Sequence, residues 1–135
     1  MEYEGEIANQ YLVGKTGDLE IEIRSVFGSN AAFVAKLSNT SSTDVELNSI
    51  SDKIYFIGSD GMQVEGELVF YYSDYFRGNY PDFISANTFI AFNIETKQAV
   101  NLSESKAAYQ IDSNNTRLKL LPNKDTRKIK DVRLE

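Results

Sequence analysis

The side chains available for chemistry in this 135-residue chain are carboxylates, lysines and tyrosines, because cysteine and histidine are both absent. Thiol nucleophiles, disulfides, metal sites built from Cys or His, and a Ser-His-Asp triad are therefore excluded within the chain. The remaining groups could transfer protons only if the fold shifted their pKa values, which a sequence does not reveal. We predict no cofactor and no metal site.

Acidic side chains recur at alternate positions in three places. These are Glu2, Glu4 and Glu6, then Asp18, Glu20 and Glu22, and finally Glu65 and Glu67. On a strand, residues i and i+2 share a face, so such carboxylates could bind calcium or act as a glycosidase pair. No calcium-loop spacing is present, and alternating carboxylates are typical of the solvated face of an acidic strand, which is the interpretation we favour.

The most unusual stretch is residues 70–83, here called the aromatic segment, in which seven of fourteen residues are Tyr or Phe. Tyrosine mixed with Ser, Asn, Gly and Arg is typical of recognition loops, because Tyr offers a rigid contact area and a hydroxyl at small entropic cost. Core-capping aromatics are the commoner alternative. The predicted ligand-binding residues are Tyr71, Tyr72, Tyr75, Phe76, Arg77 and Tyr80, and the expected partner is a protein, peptide or glycan.

The charge distribution restricts the partners further. A net charge of -6 repels the phosphate backbone that supplies most nucleic-acid affinity, so we predict no nucleic-acid partner. The last fourteen residues hold five Lys or Arg against three Asp or Glu, which leaves -8 for residues 1–121. We interpret the basic stretch 122–135 as a solvated tail or a final strand of a single domain, residues 1–121, rather than as a docking site for an acidic partner.

The elements that must position these residues are strands. Leu19, Ile21 and Ile23 alternate with charged residues, which is the period-2 pattern of a half-buried strand. Asp60-Gly61 predicts a hairpin turn, because it supplies the positive φ that a tight turn requires. About nine such short strands are indicated, one of them at residues 99–102, and the tail fits either a helical turn or a strand.

This pattern predicts an all-β domain, an antiparallel immunoglobulin-like β-sandwich of about 7 to 9 strands. A closed barrel is the nearest alternative, because alternation does not distinguish two packed sheets from one closed sheet. The predicted core consists of Ile21, Ile23, Phe33, Leu37, Leu47, Ile54, Phe56, Phe92, Ile94 and Leu120.

A series of local motifs covers about half the chain. They are a strand ending in Lys36-Leu37-Ser38-Asn39, strands at 45–47 and 54–56, the turn Ser59-Asp60-Gly61, and the strand 87–94 preceded by Ser85-Ala86. This series resembles the telokin-like, immunoglobulin-like modules of bacterial lipoproteins and secreted proteins, which usually have Pro-Gly where this chain has Ser85-Ala86. The resemblance implies a binding or scaffold module without catalytic residues.

Two hypotheses for function follow. The favoured one is a non-catalytic binding or scaffold module of a bacterial cell envelope or secreted protein, with its signal removed, and the alternative localisation is cytoplasmic. The other is a small carboxylate-dependent enzyme such as a glycoside hydrolase, which needs two carboxyl groups about 5 to 10 Å apart in a cleft. No window approaches the roughly 18 apolar residues of a membrane span, and the oligomeric state is open.

Overall fold

The computed structural model describes residues 2–26, 29–48, 50–73, 76–78, 81–113 and 115–133, with side chains for 11–26, 29–48, 50–69, 81–113 and 115–122. These parts of the chain contain no α-helix, which confirms the all-β class. A single 3-10 helix covers Leu102–Glu104. The strands are β1 (Glu2–Thr16), β2 (Leu19–Ser25), β3 (Ala32–Asn39), β4 (Val45–Glu46), β5 (Lys53–Ile57), β6 (Gln63–Ser73), β7 (Phe76–Gly78), β8 (Phe83–Ile84), β9 (Thr88–Thr96), β10 (Lys106–Ile111) and β11 (Thr116–Arg133).

Eight of these strands form one antiparallel sheet that closes on itself. The neighbours run in the order β5-β10-β11-β1-β2-β3-β9-β6, and β6 then pairs with β5. The protein is therefore a closed barrel, which was the alternative prediction, and the predicted immunoglobulin-like sandwich of two sheets is wrong. Alternation could not decide between them, because both arrangements bury every second side chain. Strand β7 pairs with the last residues of β6, outside the ring. Strands β4 and β8 form a separate small sheet.

The ring closes at Gly66. Residues 63–66 of β6 pair with β5, residues 66–69 pair with β9, and Gly66 belongs to both pairings. A Cβ atom there would lie 2.5 Å from Cγ2 of Ile94 and 2.9 Å from Cγ2 of Ile54. Glycine therefore lets strands β5, β6 and β9 approach each other where the barrel turns its corner.

The interior of the barrel is filled by side chains. All ten predicted core residues are buried, which confirms that prediction. The rings of Phe33 and Phe56 pack at 5.0 Å between centroids, and those of Phe92 and Tyr109 at 6.0 Å. Since the inward positions of all eight ring strands meet in one cluster, the barrel is a packed scaffold.

Separate segments cover the two ends of the barrel. At one end, Leu47 beside β4 and Ile84 of β8 join the core cluster. At the other end, Val100 and Leu102 do the same, and the Val100 N–H donates to the Asn30 carbonyl at 2.7 Å. The strand predicted at residues 99–102 is therefore wrong, because this stretch covers the barrel and leads into the 3-10 helix instead of pairing with a neighbour.

Strands β1 and β11 are longer than the barrel. Their mutual pairing runs from Val13 opposite Leu121 to Glu2 opposite Arg133. Strand β2 pairs with β1 only from Leu12 onward, and β10 pairs with β11 only as far as Leu120. Residues 2–11 and 121–133 thus leave the barrel as a two-stranded extension, here called the ribbon. Strand β1 ends at the Gly17-Asp18 turn, where Gly17 has φ +58°.

Candidate functional site

An open groove of about 690 Å³, here called the β6 groove, crosses the seam where the barrel closes. Its lining comes from the start of β5, the middle of β6, and the end of β9 with the residues that follow. Strand β6 turns Val64, Gly66 and Leu68 toward the interior, so its outward positions carry the polar side chains of the groove. The charged lining residues are Asp52, Lys53, Glu65, Glu67, Glu95 and Lys97.

Two of the groove carboxylates face each other across neighbouring strands. Glu67 of β6 stands directly opposite Glu95 of β9 in the register. Side chains in that relation have Cβ atoms about 4.5 to 5.5 Å apart, and like charges there repel. The groove therefore favours groups that bring hydrogen-bond donors or positive charge. Glu65 lies two residues before Glu67 on the same face of β6. It forms an ion pair with Lys53 at 3.5 Å, and both side chains are about half exposed.

Asp52 borders the groove but is itself buried. Its Oδ2 accepts a hydrogen bond from the Asn48 N–H at 2.9 Å, and its Oδ1 accepts one from the Asp112 N–H at 3.0 Å. The carboxylate thus ties the loop before β5 to the turn between β10 and β11. Because Lys53 follows immediately, this clamp also fixes one wall of the groove.

The aromatic segment begins on the strand that forms the groove. Strand β6 continues through residues 70–73, and β7 folds back beside it with Arg77 opposite Tyr71 and Phe76 opposite Ser73. We expected a recognition loop in the aromatic segment, but residues 71–73 and 76–78 belong to strands. The side chains of Tyr71, Tyr72, Phe76 and Arg77 lie outside the described part of the structure, as do Tyr75 and Tyr80 entirely, so the predicted binding residues stay a prediction.

The antiparallel order places residues 70–73, where the aromatic segment begins, and the ribbon at opposite ends of the barrel. The ribbon leaves at the end where β2, β5 and β9 finish. Strand β6 starts at that same end, because Gln63 is opposite Ile57, the last residue of β5. Residues 70–73 consequently lie toward the other end, where the β1–β2 and β10–β11 turns are found.

The remaining carboxylate groups form no second site among the described side chains. Glu20 is exposed opposite Lys15, and Glu22 forms an ion pair with Arg24 at 2.6 Å. The Arg24 guanidinium also lies 4.0 Å from the centre of the Tyr11 ring. Glu2, Glu4 and Glu6 belong to the ribbon, whose side chains on β1 are not described before residue 11. In the described ranges, no cluster of three or more acidic residues could hold a metal ion.

Sequence reasoning found Glu65 and Glu67 but missed the other charged residues of the groove. Asp52 and Lys53 come from β5 and the loop before it, and Glu95 and Lys97 from β9 and the turn after it. Their convergence depends on closure of the ring, and no local spacing indicates that closure. To predict the groove from the sequence, one would have to predict how β6 pairs with β5 and with β9.

Comparison of the chain with protein-family models, curated proteins and solved structures gives no match. The likeness to telokin-like modules therefore rests on the sequence motifs alone. Among the described residues, no helix has the length and apolar character needed to cross a membrane.

Proposed function

We propose that this protein is a non-catalytic binding or scaffold module that recognises a protein, peptide or glycan along β6. The observation that carries the proposal is that β6, a strand of a packed barrel, contributes both to the β6 groove and to the start of the aromatic segment. A rigid scaffold supports recognition because little conformational entropy is lost when a ligand binds. The interior is filled, so a ligand would bind at the outer surface.

The chemistry of the groove suits a ligand rich in hydrogen-bond donors. Glu67 and Glu95 bring carboxylate groups to the groove, and carboxylate oxygens accept hydrogen bonds from hydroxyl, amide or ammonium groups. Lys53 and Lys97 offer donors for carbonyl or carboxylate oxygens at the margins. Tyrosine and phenylalanine from the neighbouring aromatic segment would add apolar contact with a sugar face or a peptide side chain.

The proposed location is the bacterial cell envelope or the extracellular space. This part of the proposal is supported only by the resemblance to telokin-like modules, and a cytoplasmic location is the alternative. Immunoblotting of the culture medium, the periplasmic extract, the membranes and the cytoplasm would distinguish them. Protein in the medium, the periplasm or the membranes supports the proposed location, and protein found only in the cytoplasm contradicts it.

The binding proposal can be tested with an oligosaccharide array and a displayed random-peptide library as probes. We expect ligands whose affinity falls at least about tenfold in the double variant Glu67→Gln, Glu95→Gln, because charged acceptors give the stronger hydrogen bonds. Glu20→Gln on β2 is the matched control and should bind like the native chain. Ligands that ignore the double variant would place the binding site elsewhere, and no ligand in either library would contradict the proposal.

The aromatic segment has its own test. If Tyr75 and Tyr80 contact a ligand, Tyr75→Ala and Tyr80→Ala should weaken binding by about 1 kcal/mol or more while leaving the melting temperature nearly unchanged. If these rings cap the core, each truncation should destabilise the fold by about 3 kcal/mol or more. Large decreases in melting temperature for both variants would remove the segment from the proposed binding surface.

The enzyme hypothesis keeps one supporting observation. Glu67 and Glu95 stand opposite each other on neighbouring strands in an open groove, and a glycosidase needs two carboxyl groups that face each other in this way. An assay for new reducing ends on the oligosaccharides that bind would separate the two functions. Hydrolysis that disappears in Glu67→Gln would replace the binding proposal with the enzyme, and binding without hydrolysis supports the module.

A further inference from the structure

The ribbon has two free edges in the described backbone. On the β1 side, residues 2–10 pair with β11, and among the described pairings no strand lies on their other edge, because β2 begins its pairing at Leu12. On the β11 side, residues 121–133 lie beyond the end of β10, whose pairing stops at Leu120. Pro122 is the second residue of this edge. Proline has no N–H to donate to a neighbouring strand, and edge strands are where it is found in sheets.

Free edges of this length are unusual, because unpaired N–H and C=O groups recruit other strands. The ten ribbon residues of β1 extend roughly 30 Å at the usual rise of a strand. Natural proteins normally shorten, bulge or cover such edges. A single register shift, between Tyr3 and Gly5, interrupts the pairing of β1 with β11, and it lies near the tip. The rest of each edge retains regular strand geometry.

The two strands of the ribbon differ in charge. Residues 2–10 contain three glutamates and no Lys or Arg, a net charge of -3. Residues 123–133 contain five Lys or Arg against two Asp, a net charge of +3. Within one ribbon these charges already complement each other in register, with Glu2 opposite Arg133 and Glu6 opposite Lys128. The two strands of the ribbon therefore carry net charges of opposite sign, negative on β1 and positive on β11.

We propose that the ribbon binds a second copy of this chain, with the acidic β1 edge of one copy adding to the basic β11 edge of the next. Pairing of β1 with β1, or of β11 with β11, would bring like charges together and is disfavoured. In the mixed arrangement every acidic strand lies between two basic strands, and the antiparallel alternation of the sheet continues from copy to copy. Such a head-to-tail contact is heterologous, so it builds a ring or a filament.

The experiment measures the mass of the purified full chain by light scattering across a wide concentration range. The weight-average mass should rise from the 15.2 kDa of one copy to at least about twice that value, and added salt should lower it because exposed charges are screened. A chain that stays at the mass of one copy at every concentration overturns the proposal.

Two charge-reversed variants identify the edges. The acidic-edge variant carries Glu2→Lys, Glu4→Lys and Glu6→Lys, and the basic-edge variant carries Lys124→Glu, Lys128→Glu and Lys130→Glu. Each variant alone should remain a single copy, because both of its edges then have the same sign, whereas an equimolar mixture should associate. Association of either variant alone, or a mixture that stays monomeric, contradicts the proposed pairing.

Two further variants serve as controls. A chain with both edges reversed regains opposite charges within its own ribbon and should associate like the native chain. A chain with Lys15→Glu, Lys106→Glu and Lys119→Glu matches the basic-edge variant in charge but changes exposed residues of the barrel. It should also associate like the native chain, and loss of association there would show that net charge rather than the ribbon edge governs the contact.

Discussion

Buried polar side chains hold the loops of this barrel in place. Among the described residues these are Asn39, Asp52 and Ser105. Asn39 donates from Nδ2 to the Thr43 carbonyl at 2.8 Å, and its Oδ1 accepts from the Ser41 hydroxyl at 2.7 Å. The satisfied amide fixes the loop after β3. In the sequence, Asn39 and Asp52 look like ordinary turn residues, because their distant partners, the Ile84 carbonyl and the Asp112 N–H, come near only in the folded chain.

Asp52 provides a test of this role. Asp52→Ala should lower the free energy of unfolding by about 2 to 4 kcal/mol, because two backbone N–H groups lose a charged acceptor at a buried site. Asp60→Ala is the matched control, since exposed Asp60 accepts from the Met62 N–H in a solvated turn. Urea denaturation measures both, and an equal effect of the two substitutions would contradict the clamp.

Gly66 gives the second test at the scale of a residue. Gly66→Ala should destabilise the fold by about 1 to 3 kcal/mol or more, because the added methyl group meets Ile94 and Ile54 and the core must shift. Gly17→Asn is the control, since that turn position is open and Asn tolerates a positive φ. A Gly66→Ala chain as stable as the native protein would show that the strands separate there without loss.

At the scale of elements, the alternation of apolar and polar residues predicted which face of a strand is buried, but it did not reveal every strand. Strand β9 illustrates the success, with Phe92 and Ile94 in the core and Phe89 exposed. Strand β1 illustrates the failure. Its first ten residues form the ribbon, which has no core beside it, so no buried face is required. The alternating Glu2, Glu4 and Glu6 indicated a solvated strand face, but nothing in the sequence indicated a strand as long as Glu2–Thr16.

Two phenylalanines of β9 allow the alternation to be measured. Phe92→Ala should destabilise the barrel by about 3 to 5 kcal/mol, because it leaves a cavity in the core. Phe89→Ala should change stability by less than about 1 kcal/mol, since Phe89 is 61% exposed and its ring lies beside the solvated Lys36 ammonium, 4.5 Å from the ring centre. Similar effects in thermal melts would mean that β9 is not oriented as described.

The hairpin between β5 and β6 was also predictable. The Gly61 N–H donates to the Gly58 carbonyl at 3.0 Å, and Gly61 has φ +82°. The loop is a three-residue turn with glycine in the left-handed position, rather than the two-residue turn that Asp-Gly most often makes. Local turn chemistry was therefore sufficient to find the hairpin, and the register Ile57 opposite Gln63 follows from it.

At the scale of the whole molecule, the fold class followed from the sequence but closure did not. The ring depends on β1 pairing with β11, near the two ends of the chain, and on β6 reaching both β5 and β9. These contacts join distant segments, and no local pattern specifies them. The groove shares that dependence, which explains why only its β6 residues could be named from the sequence.

Closure predicts cooperative unfolding. Because each of the eight ring strands pairs on both sides, loss of one strand opens the ring, so partly folded forms should be unstable. We expect far-UV circular dichroism and the near-UV signal of Tyr side chains to report the same urea midpoint. Refolding should take milliseconds to seconds, as in other domains with distant strand pairs. Separate midpoints for the two probes would contradict a single cooperative ring.

The ribbon and residues 70–73, where the aromatic segment begins, lie at opposite ends of the barrel, and this has a consequence for any assembly of copies. A row of chains joined through their ribbons would display all of its aromatic segments on the same side. A ligand with repeated units, such as a polysaccharide, would then meet many weak sites at once. Once one site is occupied, the next binds at a high effective concentration, so the assembly would hold a polymer far more tightly than one copy does.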